Sequence, residues 1–261
     1  MNQPKHVFRL DVPALHHLGI GDVSVRVVVI DYLIRRHGLD AVIVPPRRVD
    51  THPLWRAVFK DEQLVFDASR LPDSHRTARI SAPTALDVLH GSKGWNPFEC
   101  ALWENGFFDI EGLRIDPPVI FPCGSRSRAV MIYPHYNKAE SGMYGTDGWI
   151  SACAKIRAGG FGLNLVGDRE DPALKTLFEN VEFDYTCAPC VEGLRRCVES
   201  SCMAIGTNSG PTWTLLMSDI PQIVLESDWI DRGARQMEKC RDILAKRLKI
   251  VPTLEGMLGR R

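Results

Sequence analysis

Residues 19–33 read GIGDVSVRVVVIDYL, and how they are read decides the fold. Taken singly, the valines and isoleucines suit a strand. Length and periodicity point to a helix instead, because the apolar run continues to residue 37. Val23, Val27, Ile30 and Ile34 recur at i, i+4, i+7 and i+11, one helical face, while Ser24, Asp31 and Arg35 lie off it. Gly38 follows as a stop signal. HVFRL (6–10) before the helix reads as a strand, and AVIVPP (41–46) after it as a buried strand closed by two prolines. The chain therefore opens β–loop–α–β, the unit that builds parallel sheets. Asp22, at the mouth of the helix, has two readings. It is a cap that suits the positive end of the dipole, or a catalytic base held at a loop–helix junction.

Outward from this unit, LVFDAS (64–69) and ARIS (78–81) read as strands and PTALDVLH (83–90) as a short helix. The signal weakens over 91–124, and residues 112–127 read as a linker rich in proline. The second half is clearer. Strands are expected at 129–134, 161–167, 182–186, 202–207 and 221–227, the last strand of the set. Helices are expected at 146–158, 171–180, 188–201 and 209–218. Thr146 or Asp147 caps the first, with Gly159 and Gly160 as its stop; Asp171 caps the second, ahead of Pro172. This alternation is a doubly wound α/β domain. An amphipathic helix is read over 228–250. The organisation expected is an N-terminal α/β domain over 1–120, a second α/β domain over 125–227 and a helical tail over 228–261.

Composition narrows the function. The 261 residues are 44% hydrophobic and 25% charged, with 32 basic residues against 32 acidic ones. No global field draws the chain to nucleic acid or anionic lipid. No apolar run approaches a membrane span, and the N-terminus lacks the apolar core of a secretory signal, so a cytoplasmic location is expected. Eight cysteines form no regular disulfide framework. Cys187 and Cys190 make a CxxC that zinc could use. Cys197 and Cys202 do not repeat the spacing and no histidine lies among them, which favours reduced core thiols.

Ligands of open parallel sheets bind beyond the carboxyl ends of the strands. Those ends carry His135, Tyr136, Asn137 and Lys138; then Gly167, Asp168 and Arg169; then Asn208, Ser209 and Gly210; then Glu226 or Ser227. AIGTNSGPTWTLL (204–216) is the most informative, a strand, a turn of small residues and a helix start. Such a turn lets backbone N–H groups approach a phosphate, and Lys138 adds a point charge. An ordinary turn capped by Ser209 remains open. The chain has no Walker loop, and GIGDVS lacks the third glycine of a dinucleotide fingerprint.

LGIGDVSVRVVVIDYLIRRHG (18–38) resembles the opening of the heptosyltransferase-like glycosyltransferases of family nine, whose first loop runs roughly L-G-x-x-G-D before an apolar helix. YPHYNK, LNLVGDREDP, AIGTNSGPTW and IPQIVLES resemble successive elements of that family's donor-binding domain, over most of residues 125–227. The resemblance implies a GT-B architecture, two Rossmann-like doubly wound α/β domains, the N-terminal one small. It implies transfer of a sugar from a nucleotide-diphosphate-sugar to an acceptor hydroxyl. Asp22 takes the place of the general base, with His17 or His16 as rivals. The donor would be held by Lys138, Asn137, Gly167, Asn208, Ser209, Gly210 and Glu226. With no DxD motif, no metal is expected, and no cofactor beyond the donor substrate. The chain departs from the pattern in an extra Pro-Ala-Leu-His-His ahead of the first loop, a short N-terminal half, and His135, Tyr136 and Asn137 where Thr or Ser often stands.

Three alternatives use the same architecture. A sugar-nucleotide epimerase or hydrolase would draw on His135, Asp168 and Glu226. A non-catalytic GT-B-like protein would bind nucleotide without turnover. A nucleic-acid-modifying glycosyltransferase would need a local patch such as Arg35, Arg36, Arg47 and Arg48.

Overall fold

The valine-rich segment folds as a helix, α1 (Ile20–His37), because burial outweighs the modest helix penalty of β-branched residues. The computed structural model describes residues 6–9, 19–38, 40–45, 49–67, 69, 76–79, 114–124, 127–134, 145–207, 209–225 and 248–251. From Val23 to Ile30 α1 is buried all round: Ser24 and Arg26 are as enclosed as the valines beside them. Ser24 was expected off the buried face; its Oγ instead donates to the Ile20 carbonyl at 2.7 Å, which makes its burial tolerable. Gly38 ends the helix with φ 58°, a left-handed conformation that glycine adopts without strain. The N-cap is Gly19, not Asp22. Asp22 lies at the third helical position and its Oδ2 accepts the Gly19 N–H at 3.0 Å. This is the return half of a capping box; glycine has no side chain to supply the other half.

The chain divides into two compact units, residues 1–118 with 242–245 and residues 119–241 with 246–261. In the first, β1 (His6–Arg9), β2 (Ala41–Val44) and β3 (Arg76–Arg79) form a parallel sheet in the order β2-β1-β3. LVFDAS does not make a strand. Leu64 forms a single bridge to Ile43, and a 3-10 turn at Asp61–Gln63 precedes it. A helix the sequence pattern did not suggest, α2 (His52–Val58), buries Leu54 and Trp55 behind a proline in its first turn. The helix expected over 83–90 lies outside the described residues.

Among the described residues the second unit holds six parallel strands: β4 (Ala129–Tyr133), β5 (Gly162–Val166), β6 (Tyr185–Cys187), β7 (Met203–Thr207), β8 (Gln222–Leu225) and β9 (Leu248–Val251). Their order is β6-β5-β4-β7-β8-β9, the doubly wound order with its switch point between β4 and β7. The strand at Leu248–Val251 falls where the amphipathic helix was expected to continue. It pairs with β8, so the segment read as the last strand is interior to the sheet.

Period two along the strands separates two faces. Val130, Ile132, Leu163, Leu165, Ile205, Ile223 and Leu225 meet Trp149, Cys153 and Ile156 of α3 (Thr146–Ala158) and Leu177 of α4 (Lys175–Asn180). Gly145, not Thr146 or Asp147, caps α3. Asp171 does cap the 3-10 turn that leads into α4, accepting the Ala173 N–H at 2.9 Å. On the opposite face lie Met131, Tyr133, Asn164, Val166, Ala204, Gly206 and Gln222, with α5 (Val191–Glu199) over β5 and β6. Gly206 is required by packing. A Cβ there would come within 2.0 Å of the ring of Tyr133, its partner across the β4–β7 ladder.

Candidate functional site

The switch point between β4 and β7 places the carboxyl ends of both strands at the position where doubly wound sheets bind ligands. β7 ends at Thr207, and α6 (Gly210–Thr214) follows with Ser209 as N-cap and Pro211 in the first turn. This short helix gives way to a 3-10 turn at Leu215–Met217. Its dipole is correspondingly small, and the electrostatic pull expected from the sequence has to come from other groups.

Those groups are hydroxyls. Thr207 and Ser209 are 8% and 7% exposed. Thr207 Oγ1 and Ser209 Oγ are both buried and make no hydrogen bond among the described residues. Each uncompensated buried hydroxyl costs about 1–3 kcal/mol. The frame beneath is tied except at Gln222 Oε1, which is buried and makes no hydrogen bond among the described residues. Thr212 Oγ1 donates to the Thr207 carbonyl at 2.5 Å and accepts the Ser209 N–H at 3.3 Å. Gln222 Nε2 donates to Tyr133 Oη at 3.0 Å and to the Thr212 carbonyl at 3.1 Å. Burial pushes the Tyr133 hydroxyl up to about 12, against the opposing hydrogen bonds of Gln222 and Thr212, so it stays protonated at neutral pH. Three strands and the α6 turn are thereby locked in register below the two hydroxyls. Gly210 supplies a first-turn backbone position with no side chain in the way.

Gly167 is at the carboxyl end of β5, as expected, but its N–H is committed to the Cys187 carbonyl at 2.8 Å. A Cβ there would meet Leu174 Cδ1 at 2.3 Å, and the end of that side chain would have to shift. Asp168 closes a local turn by accepting the Glu170 N–H at 3.0 Å. Farther along, Arg169, Lys175, Phe178 and Phe183 line a groove of about 640 Å³ beside α4.

In the first unit, Asp22 is exposed at the start of α1, the end of the helix that follows the carboxyl end of β1. Only Oδ2 is engaged among the described residues. Arg26, one turn on and 5% exposed, donates from Nη1 to the Asp22 carbonyl at 3.0 Å and fixes the backbone there. His16, His17, His135, Tyr136, Asn137, Lys138, Asn208 and Glu226 lie outside the described residues.

Among the described residues no group of three or more His, Cys, Asp or Glu is arranged to hold a metal. The cysteine segment shows why. Cys190 caps α5 and Cys202 follows its far end, a rise of about 13 Å at 1.5 Å per residue. No described helix is long and apolar enough to cross a membrane.

The sequence reading missed Thr207, Thr212, Gln222 and Tyr133. The hydroxyls were visible in TNSGPT, but nothing local marks which of them is left without a partner.

The chain is similar to solved structures. E. coli heptosyltransferase WaaC with ADP superposes with a TM-score of 0.62 at 11% identity, covering 95% of each chain. WaaC with ADP-2-deoxy-2-fluoro heptose gives 0.55 at 11% identity, over 84% of this chain and 88% of that one. The dodecameric iron-containing heptosyltransferase TibC in complex with ADP-D-β-D-heptose gives 0.54 at 13% identity, over 86% of this chain and 58% of TibC. No family model and no curated protein matches the sequence. At such identities the likeness establishes a shared fold.

Proposed function

We propose that this chain is a heptosyltransferase-like glycosyltransferase of GT-B type, which moves a sugar from a nucleotide-diphosphate-sugar to an acceptor hydroxyl. One observation carries the reading. Two buried hydroxyls, Thr207 Oγ1 and Ser209 Oγ, stand without a partner among the described residues at the switch-point edge, in a fold shared with ADP-bound heptosyltransferases. A diphosphate is the ligand chemistry that satisfies both.

The donor's diphosphate accepts hydrogen bonds from Thr207, Ser209 and the Gly210 backbone, and Lys138 and Asn137 add charge and a donor from the β4 loop. Asn208 is assigned to the same diphosphate and Glu226 to the nucleoside. As the acceptor oxygen bonds to the anomeric carbon, the bond from that carbon to the diphosphate breaks. The acceptor's proton passes to the Asp22 carboxylate, whose Oδ2 is already oriented by the Gly19 N–H. Charge gathering on the leaving diphosphate is met by donors held in place beforehand, the arrangement that lowers a barrier most. No divalent ion takes part.

A thermal-shift titration with ADP, UDP, GDP, CDP and dTDP, with and without magnesium, tests this. At a hundred times its dissociation constant a ligand stabilises the native state by about 2.7 kcal/mol, enough to raise the melting temperature measurably. One selective diphosphate, ADP first, with no magnesium requirement, is the expected result. Silence from all five removes the donor site. Asp22→Asn keeps the bond to Gly19 and loses the base. The variant is expected to bind the nucleotide unchanged and lose about 100-fold or more in transfer rate. Full transferase activity in Asp22→Asn removes the base assignment and leaves the donor site standing.

A further inference from the structure

Cys187, Cys190 and Cys197 are reduced and gathered where β6 hands over to α5. The proposed transfer reaction uses none of them. After Cys187 the chain turns tightly, with the Cys190 N–H bonded to the Ala188 carbonyl at 2.8 Å. This three-residue turn begins directly after Cys187 and ends at Cys190. Gly193 shows how near the two come. A Cβ on Gly193 would be 3.2 Å from Cys187 Cβ and 3.3 Å from Cys190 Sγ. The absent side chain leaves the space that both cysteines share.

The two thiols differ in access and in partners. Cys190 is exposed, and its Sγ accepts the Gly193 N–H at 3.4 Å at the first turn of α5. Cys187 is 8% exposed and Cys197 is fully buried behind it. The Cys197 thiol donates a hydrogen bond to the Cys187 sulfur, which holds the Cys187 thiol below its ordinary range despite burial. The same contact, with burial, pushes Cys197 far up, so Cys197 keeps its proton. One sulfur is reachable, the next is nearby and largely buried, and the third serves as its hydrogen-bond donor.

We infer that Cys187 and Cys190 form a reversible dithiol–disulfide site, closed by a peroxide. The Cys190 sulfur attacks one peroxide oxygen, the O–O bond breaks and the departing hydroxide leaves as water. Cys190 is now a sulfenic acid. The Cys187 sulfur attacks the Cys190 sulfur, the S–O bond breaks, and hydroxide leaves with the Cys187 proton as a second water. Two thiols are oxidised and one peroxide is reduced. The bridge forms directly behind Gly167, whose N–H rests on the Cys187 carbonyl.

The full chain is treated with dilute hydrogen peroxide, blocked with N-ethylmaleimide under denaturing conditions, digested with trypsin and mapped by mass. Trypsin cuts after Lys175 and Arg195, so Cys187 and Cys190 stay on one peptide and Cys197 leaves on another. The expected result is peptide 176–195 without maleimide and two hydrogens lighter, restored by dithiothreitol. Cys190→Ser keeps a capping side chain and is expected to leave Cys187 maleimide-reactive after peroxide. Two peptides joined across Arg195, Cys190 carried on to sulfinic acid with no bridge, or both thiols still open to maleimide would each overturn the assignment.

Discussion

Tyr133 shows most directly what single residues contribute. Its ring needs Gly206 beneath it, and its hydroxyl needs Gln222. Tyr133→Phe keeps the ring and leaves Gln222 Nε2 one acceptor short, a loss of about 1–2 kcal/mol in chemical denaturation near neutral pH. The alkaline limb carries a second signature. The hydroxyl's folded value, about 12, lies above the unfolded value, about 10. Its contribution is therefore complete below about pH 10 and disappears as pH rises toward about 12, where the folded state must also ionise. The wild-type advantage over Tyr133→Phe is expected to shrink across that window. An advantage independent of pH would mean that the hydroxyl is not enclosed. Asp22 is the complementary case. The Gly-Asp pair flagged it, but the cap proved to be Gly19, because the helix starts two residues before the aspartate.

At the scale of elements, α3, β5 and β6 are joined by one surface pair. Arg157 of α3 donates to Asp184 Oδ1 at 3.0 Å, and the Leu163 N–H of β5 donates to Oδ2 at 2.7 Å. Desolvation pushes the Asp184 carboxyl up, but the Arg157 hydrogen bond, the Leu163 amide and the Arg157 charge outweigh it, and the net direction is down. A lowered carboxyl stabilises the fold above its unfolded value, about 3.9, and the contribution fades as pH falls through the folded value. Both partners are well exposed, so solvent screening limits the pair to about 0.5 kcal/mol. Asp184→Asn is expected to lower the denaturation midpoint slightly near pH 7, with the gap closing as pH falls below the ordinary carboxylate range and narrowing in high salt. A gap that persists in acid would assign the effect to the Leu163 amide bond instead of the charge.

For the whole molecule, the alternation of β and α was legible because buried parallel strands and amphipathic helices leave different periods. The β4 to β8 elements follow that pattern closely. LVFDAS failed because its apolar residues suit a strand, while its pairing partner, Ile43, offers only a single bridge. Leu248–Val251 was read as helix because a partner far away in sequence, β8, decides its state. The candidate site was legible as a turn of small residues. Its chemistry was not, because burial of Thr207 and Ser209 depends on three strands meeting beneath them.

Two separate sheets, each with its own core, imply two separate unfolding events, and ligand binding tests this. A diphosphate held at the β7–α6 turn stabilises only the unit that holds it. At saturating ADP, about a hundred times the dissociation constant, the slowest-exchanging amides of β4, β5 and β7 should exchange about a hundredfold more slowly. Those of β1 and β2 should keep their rates, since opening the first unit releases no ligand. Hydrogen exchange followed by mass spectrometry reads both groups in one experiment. Equal slowing in both would mean that the units unfold as one cooperative system. Slowing confined to β1 and α1 would move the nucleotide to the first unit, and with it the roles assigned to Ser209 and Asp22.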